Sequence, residues 1–343
     1  MKNWINASSN NENIVLNSSI RLSRNIKDVF FPNKLNNNES RKIVKNVEDI
    51  FYSSINNSDA YSSIYTWDDK DFDYMSYVDK DVISEKFLIN KDKTAFIISN
   101  DETISILINE QDHLKIQCIT EGFNLQEAYK NAQQIDDMIE EKLEYAFDES
   151  LGYLTSCPTD VGTGLRASVV LHLPALHMAN EINGVLNVLT QVGMTISGMY
   201  GEKNECVGSI FKISNQLTLG LNENEIINNL KAVVEQIINE EKICRDKLLG
   251  KYKNEIKDKI YRALGILKTA FLLDIGECLT LLSYVRLGVD MNIIDVEKSI
   301  INELMVSIHP CMLEKICNKN EVDQLGHIRR AKLVKNKLGR LIN

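Results

Sequence analysis

The pattern of apolar and polar residues divides the chain into a region of mixed structure and a helical region. Residues 94–99 and 103–108 are rich in β-branched and apolar residues, and the polar turn 100–102 separates them, which predicts an antiparallel hairpin. Further strands are predicted at residues 114–119, 167–173, 195–200 and 207–213. Residues 1–90 are rich in Asn and Ser and carry a weaker pattern, within which residues 40–55 predict a helix.

Apolar residues that recur every three or four positions predict amphipathic helices between and after these strands. One such helix is predicted over residues 125–147 and another over residues 174–189. A third is predicted to begin at Asn222, an N-cap residue with Glu225 three positions later. Residues 250–343 are helical in pattern and nearly free of strand signals. The order is therefore a sheet with interspersed helices, without regular βαβ alternation, followed by a separate helical module.

Length and composition predict a soluble protein of two domains. At 343 residues the chain exceeds the size at which single cores stop growing. A net charge of −9 argues against a nonspecific nucleic-acid binder or an anionic-membrane binder, both of which favour a basic surface. Neither a secretory signal peptide nor an apolar run of about 20 residues is found, so a cytoplasmic protein is expected.

The cysteines direct attention to a single segment. There are 7 of them, an odd number without CxxC spacing, which indicates neither a disulfide framework nor a zinc site. Taken alone, Cys157 would more often be a buried thiol and Arg166 a surface ion-pair residue. Residues 157–169, Cys-Pro-Thr-Asp-Val-Gly-Thr-Gly-Leu-Arg-Ala-Ser-Val, join both to a Gly/Thr loop. A thiol, a phosphate-sized loop and an arginine are the parts that a phosphoryl-transfer site needs.

Four segments, in the same order, resemble the guanidino kinases, the family of creatine kinase, arginine kinase and the bacterial protein arginine kinases. They are the run 157–169 and residues 17–25, 109–116 (Asn-Glu-Gln-Asp-His-Leu-Lys-Ile) and 198–202 (Gly-Met-Tyr-Gly-Glu). Residues 171–176, residues 213–220 and the helical extension make the finer resemblance one to the McsB-type protein arginine kinases.

This resemblance implies an α+β fold, with a mostly antiparallel sheet flanked by helices and then an all-helical C-terminal module. The domains it implies are an N-terminal segment over residues 1–13, a phosphagen-kinase-like catalytic domain over residues 14–245 and the helical module over residues 250–343.

The resemblance also implies ATP and Mg²⁺, with arginines around the phosphates because their planar fork of donors suits phosphate oxygens. The matching positions hold Ser19, Arg21, Lys115, Arg166 and Ser197, so two arginines are missing and a lysine replaces a third. Phe87 stands where relatives usually place a nucleotide-contacting histidine. The nucleotide-binding residues implied in full are Ser18, Ser19, Ile20, Arg21, Phe87, Lys115, Arg166, Ala167, Ser168, Val169, Val170, Ser197, Gly198, Met199, Tyr200, Gly201 and Glu202.

On the acceptor side, the resemblance implies that Cys157 and Glu202 hold the guanidinium. The position of the proton-accepting glutamate is occupied by Gln111, which can orient an N–H group through its carbonyl oxygen but cannot take its proton. Glu110 or Asp112 could replace it only if the backbone shifted, because neighbours on a strand point to opposite faces. Asp160 replaces a family asparagine. In the helical module only Arg330 and Ala331 match the phosphoarginine-binding motif of the family.

Two functional hypotheses follow. The first is ATP-dependent phosphorylation of arginine side chains in proteins, weakened by Gln111, Ser19 and Ser197. The alternative is a catalytically silent relative that acts as a protein-binding or phosphoarginine-binding adaptor in proteolysis or stress regulation. A kinase for free arginine is disfavoured by the helical extension. Partners implied by the resemblance are protein substrates with exposed arginine, an McsA-like activator and the ClpC/ClpP protease, with a homodimer as one possible form.

Overall fold

The computed structural model of the chain describes residues 14–68, 72–200, 206–316 and 324–339. The chain divides into two compact units that alternate along the sequence. The first consists chiefly of Asn17–Val169 and Ser214–Ala232, and the second chiefly of Val170–Ile213 and Val233–Asn343. The predicted domain boundaries at residues 13, 245 and 250 stay a prediction.

An eight-stranded antiparallel sheet confirms the predicted fold class. In chain order the strands are β1 (Val15–Arg24), β2 (Tyr61–Tyr65), β3 (Ala95–Ser99), β4 (Ile104–Ile108), β5 (Leu114–Glu121), β6 (Phe147–Asp148), β7 (Gly152–Tyr153), β8 (Leu165–His172), β9 (Met194–Gly198) and β10 (Ile210–Asn215). The order across the sheet is β2-β3-β4-β5-β1-β8-β10-β9, and the short strands β6 and β7 form a separate hairpin. The hairpin predicted around residues 100–102 is the β3–β4 pair.

The helices are α1 (Asn37–Ser54), α2 (Met75–Asp79), α3 (Leu125–Glu140), α4 (Pro174–Met178), α5 (Ile182–Gln191), α6 (Glu223–Lys251), α7 (Lys253–Thr269), α8 (Ile275–Asp290), α9 (Lys298–Ser307), α10 (Pro310–Ile316) and α11 (Gln324–Gly339). The cap predicted for α6 is confirmed, because Asn222 Oδ1 accepts from the Glu225 backbone N–H at 2.9 Å and the Glu225 carboxylate accepts from the Asn222 N–H at 2.9 Å. In the described residues, no helix is long and apolar enough to cross a membrane.

Two predicted helices are shorter than their patterns. The helix predicted over residues 125–147 ends at Glu140, because the chain beyond it bonds to other segments: Lys27 N donates to the Glu144 carbonyl at 3.0 Å, and Ala146 N donates to the Asn25 carbonyl at 2.8 Å. The helix predicted over residues 174–189 is divided into α4 and α5, because Asn180 lies in the left-handed region at φ +56°.

Each unit has its own core. In the first, α3 packs against β5 and buries small residues such as Ala128 and Ala132, while Ile20 and Ile116 are buried on the central strands. In the second, α7 packs against α8 and α11 around a cluster that includes Leu282. The residues of the predicted site are therefore held by strands and loops whose backbone is fixed by these cores.

Candidate functional site

One face of the β1–β5 pair carries the first group of predicted phosphate ligands. The register pairs Arg21 with Gln117 and places Lys115 two residues away on the same strand, so Ser19, Arg21, Lys115 and Gln117 share a face. The Arg21 guanidinium donates two hydrogen bonds to the Gln117 side-chain oxygen, at 3.0 and 2.8 Å. Gln117 in turn donates to the Asp81 backbone carbonyl at 2.6 Å. The structure thus brings Arg21 and Lys115 to one sheet face, with Ser19 beside them where a third cation was expected, and their contact with phosphate stays a prediction.

Lys115 is held by the carboxylate of Glu110, which the sequence interpretation considered only as a replacement base. Its ammonium is paired with Glu110, which also accepts a hydrogen bond from the Ser84 hydroxyl, and both ionic side chains are buried. Burial opposes ionisation of Glu110, but the charge and hydrogen bond of Lys115, together with the Ser84 hydroxyl and the charge of Arg21, outweigh it, so the pKa of Glu110 lies below its usual value. Glu110 is therefore ionised at neutral pH and fixes Lys115 on the sheet face.

Replacing Glu110 with glutamine is expected to destabilise the protein by about 3–5 kcal/mol at pH 7, because it leaves the buried Lys115 ammonium without its counter-charge. Since the folded pKa of Glu110 is depressed, the stabilisation from its ionisation is present above the unfolded pKa and is lost as pH falls through the folded value. Urea denaturation at pH 7 and pH 4 should show the difference between variant and parent shrink at the lower pH.

The matched control is Glu144→Gln, which breaks the exposed Lys27–Glu144 pair and should change stability little at either pH. An equal loss in both variants would contradict the special role of the buried pair.

The loop after Cys157 brings the predicted acceptor thiol close to the predicted phosphate ligand Arg166. The Thr159 hydroxyl lies 3.1 Å from Cys157 Sγ and 3.4 Å from Arg166 Nη2. Arg166 also donates to the Asp160 carboxylate at 2.5 Å and to the Asn215 carbonyl at 3.0 Å. The Thr159 hydroxyl therefore links Cys157 and Arg166, the two side chains on which the sequence prediction depends.

Two glycines give this loop its shape. Gly164 has φ +63°, and a Cβ there would meet the Ser23 carbonyl oxygen at 2.5 Å and Arg24 Nη1 at 2.6 Å. Arg24 cannot move away easily, because it donates to the Ser23 and Thr163 carbonyls at 2.9 Å and is paired with the buried Asp136 at 2.6 Å. Gly162 has φ +117°, and a Cβ there would meet the Thr218 carbonyl oxygen at 2.6 Å and Leu219 Cα at 2.9 Å. The Gly-x-Gly spacing thus reflects close backbone contacts beneath the loop.

Replacing Gly164 with alanine is expected to destabilise the protein by about 3 kcal/mol, the sum of a left-handed alanine and an overpacked contact. Gly220→Ala is the matched control, since Gly220 has φ +83° but no atom within 4 Å of its Cβ position. That variant should lose only about 1 kcal/mol, from conformational strain alone. Urea denaturation of both separates the two contributions, and equal losses would show that the contact with Ser23 and Arg24 costs nothing.

Gln111 lies next to the thiol loop. Its side chain is exposed, and its backbone carbonyl accepts from the Ser156 hydroxyl at 2.7 Å. The neighbouring Asp112 carboxylate accepts from the Ser156 backbone N–H at 2.7 Å and from the Asn25 amide at 2.7 Å. Because Ser156 directly precedes Cys157, these bonds fix the predicted base position beside the predicted acceptor thiol.

The strand argument used against Glu110 and Asp112 was wrong, although neither carboxylate is available. Residues 109–113 form the turn between β4 and β5, with Asn109 at φ +59°, so alternation between sheet faces does not apply to them. Both carboxylates are instead occupied: Glu110 by Lys115 and Ser84, and Asp112 by Asn25 and Ser156.

His113 is also excluded as a base by its bonding. Nδ1 accepts from the Ile26 backbone N–H at 3.1 Å, which leaves Nε2 to donate to the Phe30 carbonyl at 3.0 Å. Burial lowers the pKa of His113 to about 4. A neutral imidazole with both nitrogens engaged has no site left for an incoming proton.

Several residues predicted to contact the nucleotide are buried. Ser18 donates to the Gly122 carbonyl at 2.8 Å, and Phe87 packs edge-on against Phe96 with ring centroids 5.6 Å apart. Also buried are Ile20, Ala167, Ser168, Val169 and Val170. Any contact of these residues with the nucleotide stays a prediction.

The remaining predicted residues belong to the second unit. Ser197, Gly198, Met199 and Tyr200 lie in and just after β9, and the Tyr200 ring lies 4.7 Å from that of His309. Gly201 and Glu202 lie outside the described residues.

The two residues of the phosphoarginine motif are buried in the helical part. Arg330 donates to the Ile308 and Leu273 carbonyls at 2.9 Å each, and Ala331 is part of the core of the second unit. The geometry gives Arg330 a structural role in joining these segments, and its allosteric role stays a prediction.

Three contributors were missed from the sequence. Glu110 positions Lys115, Thr159 links Cys157 to Arg166, and Asn215 accepts from the Ala167 N–H at 2.8 Å while its carbonyl accepts from Arg166. Each lies inside a segment that carried the resemblance. Their position in those segments was the available indication, but their partners depend on the folded chain.

Comparisons with known proteins identify the family of the chain. Residues 42–244 match the family model described as ATP:guanido phosphotransferase, C-terminal catalytic domain, and residues 253–343 match that of the protein-arginine kinase McsB C-terminal domain. A protein-arginine kinase of Clostridium tetani is 54% identical over 339 residues, covering 98% of this chain and 99% of the relative. One from Clostridium kluyveri is 53% identical, with 98% and 99% covered.

Solved structures show the same fold at lower identity. Lombricine kinase is 22% identical with a TM-score of 0.59 and covers 68% of each chain. The duplicated taurocyamine kinase of Schistosoma mansoni with bound transition-state analog components is 18% identical with a TM-score of 0.61, covering 78% of this chain and 41% of that one. The resemblance noted in the sequence is thereby confirmed, and the chain belongs to the protein-arginine kinase family of ATP:guanido phosphotransferases.

Proposed function

We propose that this chain transfers the γ-phosphoryl group of ATP to the guanidinium of arginine side chains in proteins. A nitrogen–phosphorus bond forms, the bond from the γ-phosphorus to the ADP oxygen breaks, and one proton leaves the attacking nitrogen. The observation that carries the proposal is the Thr159 hydroxyl, which lies within hydrogen-bond distance of both Cys157 and Arg166. A thiol for the acceptor and a cation for the phosphate are thereby near each other, as direct transfer requires.

On the nucleotide side, Arg21, Lys115 and Arg166 would hold the phosphates. Each is now bonded to a protein acceptor, Gln117, Glu110 or Asp160 respectively, so each is oriented and must share its donors when a triphosphate arrives. Three basic side chains fit a polyanion. Mg²⁺ is proposed to accompany ATP, where it would neutralise part of the triphosphate charge.

On the acceptor side, Cys157 and Glu202 would bind the guanidinium and Gln111 would orient its N–H group. The pKa of a guanidinium exceeds about 12, so its attack depends on a group that takes the proton. His113, Glu110 and Asp112 are engaged elsewhere, as described above. With Gln111 at the base position, we expect a slow kinase.

Proteins are the proposed acceptors because the relatives that match over nearly the whole chain are named protein-arginine kinases. An McsA-like activator, the ClpC/ClpP protease, a homodimer and a cytoplasmic location remain proposals that rest on the family resemblance.

The test is transfer of labelled γ-phosphate from Mg-ATP to an arginine-containing protein, scored as acid-labile phosphoarginine, with free arginine as a second acceptor and Cys157→Ala as the blank. Label on the protein that is lost in the blank supports the proposal. Label on free arginine alone would change the substrate class. Absence of label on both, with or without an activator, would favour the silent adaptor.

A further inference from the structure

An apolar surface lies in the same unit as the thiol loop. Five large apolar side chains there are between 41% and 58% exposed, on two segments that contact the thiol loop. They are Phe147 and Leu151 on the β6–β7 hairpin, and Leu217, Leu219 and Leu221 after β10. We call these five residues the acceptor-side patch.

Backbone contacts bring the two parts of the patch to the thiol loop. On one side, Tyr153 N donates to the Gly162 carbonyl at 2.8 Å. On the other, a Cβ at Gly162 would lie 2.6 Å from the Thr218 carbonyl oxygen, and the Thr218 hydroxyl donates to the Thr159 and Val161 carbonyls at 3.0 and 2.6 Å. The loop that carries Cys157 is thus in contact with both segments.

The two leucines nearest the loop point away from it. Leu217 and Leu219 flank Thr218, whose side chain is buried against the loop carbonyls, while both leucines are more than half exposed. Both leucines are therefore exposed on a segment that contacts the loop carrying Cys157.

The two segments that carry the patch contribute only acidic charges of their own. Residues 143–165 and 214–230 contain no lysine or arginine. They contain Glu144, Asp148, Glu149, Asp160, Glu223 and Glu225. Glu144 is paired with Lys27 and Asp160 with Arg166, whereas Asp148 and Glu149 are exposed on the hairpin. An apolar surface with an acidic surround complements a segment that is both apolar and cationic.

We propose that the acceptor-side patch binds the polypeptide on either side of the target arginine and selects arginines that have apolar neighbours. This inference rests on the proposed function and narrows its substrate class to arginines in exposed apolar segments. Burial of apolar side chains from both partners supplies the affinity, and the acidic surround favours the basic residue. Free arginine has no flanking residues and gains nothing from the patch.

The experiment compares two fluorescent peptides of equal length and charge, one with leucine and phenylalanine beside a single arginine and one with serine at those positions. Anisotropy measures binding, and phosphoarginine formation from Mg-ATP is followed in parallel. The apolar peptide is expected to bind about tenfold more tightly to the parent protein, as one or two newly buried apolar side chains give. Leu217→Ser combined with Leu219→Ser should reduce its affinity about tenfold.

Phe271→Ser combined with Leu272→Ser is the matched control, because these two side chains are 69% and 55% exposed in the second unit. It should keep the preference for the apolar peptide. Both double variants alter exposed residues, and an unchanged thermal unfolding midpoint verifies that each is folded.

Equal affinity of the parent for the two peptides, or an unchanged preference in the Leu217 and Leu219 double variant, would overturn the role of the patch. Absence of phosphoarginine on both peptides would overturn the proposed function. Because affinity is measured without transfer, the two failures are distinguishable.

Discussion

Replacing Gln111 with glutamate is expected to raise the rate of phosphoryl transfer to an arginine-containing protein by about 10²- to 10⁴-fold, the usual contribution of a positioned general base. The substitution changes one side-chain group without changing its size, and the Gln111 side chain is exposed. Its backbone is held by the Ser156 hydroxyl, beside Cys157, so the new carboxylate would appear where the acceptor guanidinium is proposed to bind.

Turnover at saturating ATP and acceptor is the measurement, and the rate of Gln111→Glu should fall below about pH 4.3 as the new carboxylate is protonated. Gln216→Glu is the control for added negative charge, because Gln216 is exposed in the same unit and follows Asn215, which binds Arg166. A rate for Gln111→Glu equal to that of the parent would show that position 111 does not take the proton.

The fold was predictable where local pattern and tertiary structure agree. The β3–β4 hairpin and the Asn222 cap depend on neighbours in sequence, and both were found as predicted. The end of α3 and the break between α4 and α5 were not predicted, because the period of the apolar residues encodes neither of them. The backbone of residues 144–146 makes hydrogen bonds with residues 25–27 in place of helical hydrogen bonds. Asn180 adopts a left-handed conformation.

In the site, too, features set by neighbours in sequence were predictable and features set by the folded chain were not. The run from Cys157 to Arg166 predicted that a thiol and a cation lie close together, and the turn at Thr159 brings this about within ten residues of sequence. The Lys115–Glu110 pair was missed because residues 109–113 were interpreted as strand, where Glu110 would have pointed to the face opposite that of Gln111 and Lys115. The positive φ of Asn109 changes the direction of the chain there, and an asparagine alone does not predict that conformation.

The structure shows the surroundings of two residues that depart from the family pattern, Asp160 and Ser19. Asp160, which replaces a family asparagine, is bonded to Arg166, and Glu110 is bonded to Lys115, so two of the three cations left for ATP are partly neutralised before ATP binds. Ser19 shares a sheet face with Arg21 and Lys115 and adds no charge. Weak nucleotide binding is therefore expected from the charges of this site, independently of the missing base at position 111.

Replacing Arg166 with methionine is expected to reduce kcat/KM for ATP about 10²- to 10⁴-fold, because two charge-assisted hydrogen bonds to phosphate, worth about 1.5–3 kcal/mol each, are lost. Methionine keeps much of the side-chain length and leaves the Asn215 and Ala167 hydrogen bond intact, so the loop should stay in place. Initial rates over a range of ATP concentrations, with a urea denaturation curve for the same sample, separate lost phosphate binding from lost folding.

Asp160→Asn provides the opposing control for Arg166, since it keeps an acceptor for the guanidinium and removes the competing charge. If Arg166 binds phosphate, releasing it from the carboxylate should lower the KM for ATP severalfold, while the Arg166→Met and Asp160→Asn double variant should show no such gain. A lower KM in both backgrounds would mean that Asp160 repels the nucleotide directly. In that case the pairing with Arg166 would be a structural contact and the arginine would not limit nucleotide affinity.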